Sequence, residues 1–516
     1  MRKGNVRIGL AAAAMILQLI GTASAAGAQA VPAVAFTFTP TSGPPGTKIN
    51  FTGTGCPHDA TKPFDGLVFL TQSSANTTPL QFTSAADGSF TPQYDTTGIP
   101  PGQYTTFVAC TNTNTGGPGS PFTVTVPVVP GSTYFPLSPA RILDTRDGTG
   151  TGAINPIGPG GSIDVTVVGV GGVPATNVTA VALNVVATNA TGPASFLTIW
   201  PTGSVRPLAS NLNFVPGVSV PNLVIARVGT GGKVSMFNNL GSINVAADVQ
   251  GYFLGDGSGS TYIPLVPARI LDTRNGTGGT SSPVGPGGTI ELKVTDAGGV
   301  PAAGGTAVAL NVTATNVSGN ESFLTVWPSG SSRPLASNLN FIFGQTVPNL
   351  VIARVGDGGK ISIFNNVGNV DVVADTQGYF AAPATPPPGS TYFGQNPARI
   401  LDTRDGTGVP GGAMGQLGTG GFIDVQVTGA GGVPSNATAV VLNVTAADSP
   451  GPDSFLTLYP TGSARPLASN LNFVAGQTVP NLVIARIGSG GKVTFYNNLG
   501  STVVVADVQG YFVPGA

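Results

Sequence analysis

Seven charged positions recur in each of three copies of one long phrase. In the first copy they are Arg141, Asp144, Arg146, Arg206, Arg227, Lys233 and Asp248. Lone charges set among apolar runs are usually paired. Arg meets a carboxylate in fork geometry and tolerates partial burial when it does. Arg141 or Arg146 paired with Asp144 or Asp248 would clamp loops at one end of a domain, and Arg227 belongs to the same structural set. The competing reading sends some of these charges into a shared ligand groove, Arg206 and its copies Arg333 and Arg465 first among them.

A set of asparagines recurs beside the charges. The first copy carries Asn211, Asn213, Asn222, Asn238 and Asn239. The second carries Asn338, Asn340 and Asn349, and the third Asn470, Asn472 and Asn481. A side-chain amide closes turns through local hydrogen bonds. It also offers donor and acceptor on one plane, which suits sugar hydroxyls. Trp200, Phe214, Phe237 and Tyr252 either stack on a sugar ring or fill the core. Tyr459 stands where the other copies have Trp200 and Trp327, so a strict tryptophan platform is not kept.

Other chemistries find little purchase. The run Asp144 to Gly150 superficially resembles a calcium loop, but Arg146 inside it repels a cation, and Asn275 replaces one Asp in the second copy. No metal and no cofactor is expected. The only histidine, His58, lies outside the repeats, so no Ser/His/Asp or Cys/His set can be assembled in them. A glycosidase pair needs two nearby free carboxylates, whereas Asp144 and Asp248 both sit near Arg in this reading. The chain is therefore read as non-enzymatic. Repeated weak sites gain by avidity, which favours binding over tripled catalysis.

The elements that carry these residues follow from the phrase itself. Arg-Pro-Leu-Ala-Ser-Asn-Leu-Asn-Phe begins at Arg206, Arg333 and Arg465, spacings of 127 and 132 residues. That period matches a whole domain and is too long for a solenoid unit. Each copy opens on Pro-Ala-Arg-Ile-Leu-Asp-Thr-Arg and closes on Ala-Asp-x-Gln-Gly-Tyr-Phe. Eight strands are expected in the first: 134–143, 162–168, 180–188, 195–200, 210–215, 222–228, 234–238 and 243–253. Gly-Gly-Val-Pro and Pro-Thr-Gly-Ser supply turn chemistry between them. Eight strands in such a length fit a two-sheet sandwich, with a jelly roll as one arrangement. The copies span 133–254, 261–381 and 391–513.

The whole 516-residue chain carries 76 glycines and 45 prolines, which punctuate runs of Val, Ile, Leu and Phe as in an all-β protein. Only 8% of residues are charged and the net charge is −1, so no surface is offered to a nucleic acid. Arg2, Lys3 and Arg7, the apolar run Ile8 to Ile20 and Ala28-Gln29-Ala30 read as a secretory signal peptide over 1–30. Without it, no membrane association is expected. The chain ends four residues after Phe512 with no apolar tail, so any surface attachment would be non-covalent.

Residues 31–127 alternate in short strands and hold both cysteines, Cys56 and Cys110. In an exported chain these form one disulfide, worth about 4 kcal/mol by the chain-entropy argument. Ser-Gly-Pro-Pro-Gly-Thr, then Gly-Thr-Gly-Cys, then Gly-x-Tyr before the second Cys resembles the bacterial immunoglobulin-like domains of secreted proteins. That resemblance implies a spacer or adhesion module. The triplicated phrase, from Arg-Ile-Leu-Asp-Thr-Arg to Gln-Gly-Tyr-Phe, resembles a β-rich repeat of secreted actinobacterial and other soil-bacterial proteins. It implies location and architecture and assigns no residue a role.

Three unequal linkers each end in Gly-Ser-Thr-Tyr, and the last contains Pro386-Pro387-Pro388. Their inequality favours independent beads. A variant packs the three sandwiches about a pseudo-threefold axis. The expected role is adhesion at the cell surface or on extracellular polysaccharide, with cell-wall or other glycan as partner. The alternative is a structural spacer or surface coat without a ligand pocket.

Overall fold

Alternation decides the outer layer of each repeat, and its absence decides the inner one. A computed structural model describes residues 34–515, except 44–45, 73–74, 98, 100–101, 114, 125–130 and 385–387. The segment read as a signal peptide, and Pro386-Pro387, lie outside the described residues.

The first repeat contains β1 (Thr133–Asp144), β2 (Ser162–Thr166), β3 (Val178–Thr191), β4 (Ser195–Pro201), β5 (Leu212–Phe214), β6 (Val220–Arg227), β7 (Lys233–Asn238) and β8 (Ser242–Leu254). All eight expected strands are present. The sheets run β1-β8-β3-β6 and β2-β7-β4-β5, antiparallel throughout. That order is an eight-stranded jelly roll. The other two copies repeat it.

β2 turns one face to solvent, so its residues alternate between exposed and buried. The inner sheet is buried on both faces. On β3, Val181, Leu183 and Val185 enter the repeat's own core, while Ala180 and Ala182 face the other way into a core shared by all three copies. On β6, Val224 and Ala226 serve the first core, and Leu223 and Ile225 the shared one. Each copy has its own apolar centre besides.

The repeats are not beads. β6 and its copies Val347–Arg354 and Val479–Arg486 approach one another pairwise around a pseudo-threefold axis. Tyr134, Tyr262, Tyr392, Phe253, Phe380 and Phe512 form one aromatic layer there. Ring centroids lie 4.3 Å apart for Tyr134–Phe380 and 4.5 Å for both Phe253–Tyr392 and Tyr262–Phe512. Each such buried ring contributes about 1.5–3 kcal/mol. The Tyr134 hydroxyl donates to the Gln250 carbonyl at 3.1 Å, and Tyr262 does the same to Gln377. A Cβ on Gly251, Gly378 or Gly510 would collide with these tyrosines, which accounts for glycine in the Gln-Gly-Tyr-Phe ending.

Backbone bridges close the ring. Tyr134 pairs with Ser260, Tyr262 with Ser390, and Tyr392 with Ser132. The Gly-Ser-Thr-Tyr ending of each linker is thus part of the assembly.

The chain divides into two compact units at Val129/Pro130. The N-terminal one is a two-sheet sandwich. Ala35–Thr39, Lys48–Thr54 and Gln93–Asp95 form one sheet, and Gly66–Gln72, Gly102–Cys110 and Thr115–Val124 lead the other. Cys56 and Cys110 form a buried disulfide with Cα atoms 5.3 Å apart.

Candidate binding site on the pseudo-threefold axis

Four of the seven recurring charges meet where one repeat touches the next. Arg269 donates from Nε to Asp375 at 2.8 Å and reaches Asp272 at 3.2 Å. Arg274 grips Asp272 with two bonds, at 2.8 and 2.7 Å. Arg141, Arg146, Asp144 and Asp248 form the same cluster in the first copy. Hydrogen bonds from Arg274 outweigh burial and hold Asp272 below the usual carboxylate range. Asp375 and Asp248 are pushed up by burial, which the paired guanidinium only partly offsets. Asp248 also accepts the backbone N–H of Ser337, a residue of the next repeat. Arg227 differs from expectation: it is exposed at the end of β6 and takes no part in these ion pairs. Asp144, inside the calcium-like run, has both oxygens on arginines.

Arg206, Arg333 and Arg465 stack on rings. Each guanidinium lies over an aromatic ring of its own outer sheet: 3.6 Å from the Phe237 centroid, 3.5 Å from Phe364 and 4.0 Å from Tyr496.

The asparagines divide into three groups. Asn211, Asn338 and Asn470 are buried and accept backbone N–H bonds from Ile199, Val326 and Leu458 at 2.6–2.7 Å. Asn238 is buried and donates to the Ile157 and Gly241 carbonyls, and Asn239 serves through its backbone.

Asn222, Asn349 and Asn481 are fully buried and tie the repeats in a circle. Their Nδ2 groups donate at 2.8 Å to Asn443, Asn184 and Asn311 respectively. Their Oδ1 atoms accept Leu482, Leu223 and Leu350 N–H at 3.0–3.1 Å. These amides satisfy the otherwise open edge of each inner sheet. They are not available to a ligand, contrary to the ligand-binding reading.

Asn213, Asn340 and Asn472 are different. Each is half-buried, with Oδ1 held by Ser210, Ser337 or Ser469 at 3.0–3.1 Å, and among the described residues no acceptor takes its Nδ2. All three line one cavity of about 690 Å³ on the axis. Pro221, Pro348 and Pro480, each beside a ring asparagine, line it as well. Ser219, Thr346, Thr478, Gln345 and Gln477 add polar groups, and Val220, Val347 and Val479 add apolar surface. Phe343 lines it while 72% exposed. The lining carries no charged residue. Amide donors, hydroxyls and an accessible ring in an uncharged recess suit a neutral ligand that is polar at its edges and apolar on its faces.

No family model matches the chain, and no curated protein matches it. Among solved structures, it is similar to one described as the triple jelly-roll fold and turret assembly in an archaeal virus. That likeness has 10% identity, covers 76% of this chain and 92% of the other, and has a TM-score of 0.16. It is also similar to SGBP-B from a complex xyloglucan utilization locus in Bacteroides uniformis, at 11% identity, 69% and 99% coverage and TM-score 0.13. A third is the M60 catalytic domain with CBM51-1 and CBM51-2 of Clostridium perfringens ZmpB, at 8% identity, 95% and 56% coverage and TM-score 0.13. Among the described residues, no helix is long and apolar enough to cross a membrane.

Sequence reasoning missed the residues that make the assembly: Asn184, Asn311, Asn443, Gln250, Gln377 and the three tyrosines of Gly-Ser-Thr-Tyr. Gln250 stands opposite no residue of β3, because a bulge falls between Gly251 and Val249. From there its Oε1 accepts Ile352 N–H of the next repeat at 3.3 Å. The signal was present, since one four-residue phrase closes three otherwise dissimilar linkers.

Proposed function

We propose that the chain is an exported, non-enzymatic binding protein whose three jelly rolls act as one head, taking an extracellular polysaccharide at the axial mouth. The observation that carries this reading is the uncharged cavity to which all three repeats contribute an asparagine whose Nδ2 meets no acceptor among the described residues. Hydroxyl groups and the exposed Phe343 ring support a sugar over a purely apolar guest. The buried disulfide supports an oxidising, extracellular setting. The recurring Asp residues support binding over catalysis, because their oxygens are engaged by arginine.

The test is co-sedimentation of the full chain with insoluble polysaccharides and purified cell walls, beside Phe343→Ala. The exposed Phe343 can be removed without disturbing the fold. Retention of the wild type and loss of the variant are expected. Equal behaviour of the two removes the axial site. A second reading, a structural coat or spacer, is favoured by the burial and mutual bonding of most recurring amides and ions. It gains if the wild type sediments with none of these materials.

A further inference from the structure

The axial cavity has a neighbour. A second recess of about 340 Å³ lies at the seam between the first and second repeats, and Ser219 and Asn340 line both. Its walls come from two copies. The first supplies Arg141, Arg146 and Asn189, and the second supplies Glu321, Phe323 and Asn366.

The chemistry here differs from that on the axis. Arg146 keeps Nε and Nη2 on Asp144, at 2.8 and 2.7 Å, so its charge is matched, while among the described residues no acceptor takes its Nη1. Glu321 is exposed, and its Oε1 accepts the Ser219 hydroxyl of the neighbouring repeat at 2.8 Å. The remaining Arg146 Nη1, a carboxylate and three amides can pair with the hydroxyls of one sugar ring from several sides, and the Phe323 ring offers it an apolar face. Arg141 and Arg146 both line the recess and are matched by Asp248 and Asp144, which leaves the Glu321 carboxylate as the surplus charge, so the recess disfavours an anionic occupant.

We propose that this seam is a second saccharide subsite, and that the occupant is an oligosaccharide long enough to run from the axial mouth, past Ser219 and Asn340, into the seam. The inference rests on the polysaccharide reading above and names its geometry: an extended chain, bound across two repeats, by a site that neither repeat holds alone. The seams are not equivalent. The position of Glu321 is Asp453 in the third copy and Ala194 in the first. Glu321 therefore marks the seam where a longer carboxylate reaches across.

The experiment uses the full chain and an array of cello-, xylo-, manno- and chito-oligosaccharides of increasing length. Affinities of the wild type, Phe343→Ala and Glu321→Ala are compared on the sugar series that binds. Glu321 is exposed, so its variant keeps the fold. Glu321→Ala is expected to weaken the longer oligosaccharides by about tenfold, as loss of one charged hydrogen bond does. The shorter ones, which fill only the axial mouth, should bind as before, whereas Phe343→Ala should weaken both. Unchanged binding of long oligosaccharides by Glu321→Ala overturns the seam and leaves the axial site standing. Failure of the wild type to bind any series overturns both.

Discussion

At the scale of single residues, two asparagines one turn of sequence apart have opposite fates. Asn349 is sealed between repeats, and Asn340 opens on the cavity. Asn349→Leu leaves Leu223 N–H without its acceptor in a buried setting, which costs about 1–3 kcal/mol. A lower denaturant midpoint is expected for it, with none for Asn340→Leu. Equal midpoints would contradict the ring. In the N-terminal sandwich, Asp65 accepts His58 Nδ1–H at 2.9 Å and the N–H groups of Asp59 and Ser84. These bonds, His58 first, hold its carboxyl far below the ordinary 3.8. A depressed value stabilises the fold above the unfolded value, and that contribution is lost as pH falls below it. His58→Ala raises the folded value, so acid unfolding of this unit should begin at higher pH, read by circular dichroism.

At the scale of elements, the edge of the inner sheet is the instructive case. β6 and its copies are edge strands, yet their N–H groups are capped by asparagine and glutamine from the neighbouring repeat. Amides of Leu223, Leu350, Leu482, Ile352 and Ile484 should therefore exchange with deuterium as slowly as central strands. Fast exchange there would mean open seams. Gly378→Ala, which forces a methyl onto the Tyr262 hydroxyl, should cost about 1–3 kcal/mol of stability by overpacking.

Strand positions were legible because turns punctuate them and because β2 alternates. Burial on both faces was also written in the sequence: Leu-Val-Ile-Ala, between Asn222 and Arg227, is a continuous apolar run with no polar face. Its partner was not legible. Pattern shows that a face is covered, and only tertiary structure shows that the cover is two more copies. The asparagine set was legible as recurring, but turn, seam and cavity positions share one residue type and one spacing.

At the scale of the molecule, the shared core makes the three repeats one cooperative body. Residues 133–254 expressed alone would expose Tyr134, Leu223, Ile225 and Phe253. An exposed apolar patch of this kind drives association. Light scattering on that fragment should show self-assembly or aggregation, while 130–516 stays monomeric and melts in a single transition. A well-behaved monomeric fragment would mean that the shared core contributes little.

Covalent linkage of the copies has one more consequence. A ring of identical subunits must present every side chain three times, so its mouth looks the same from three directions. Here Phe343 stands at the lip where the other copies place Pro216 and Ala475. One aromatic on one side gives the opening a heading, so on the proposed saccharide reading a polymer with distinct ends would meet the ring differently in its two senses.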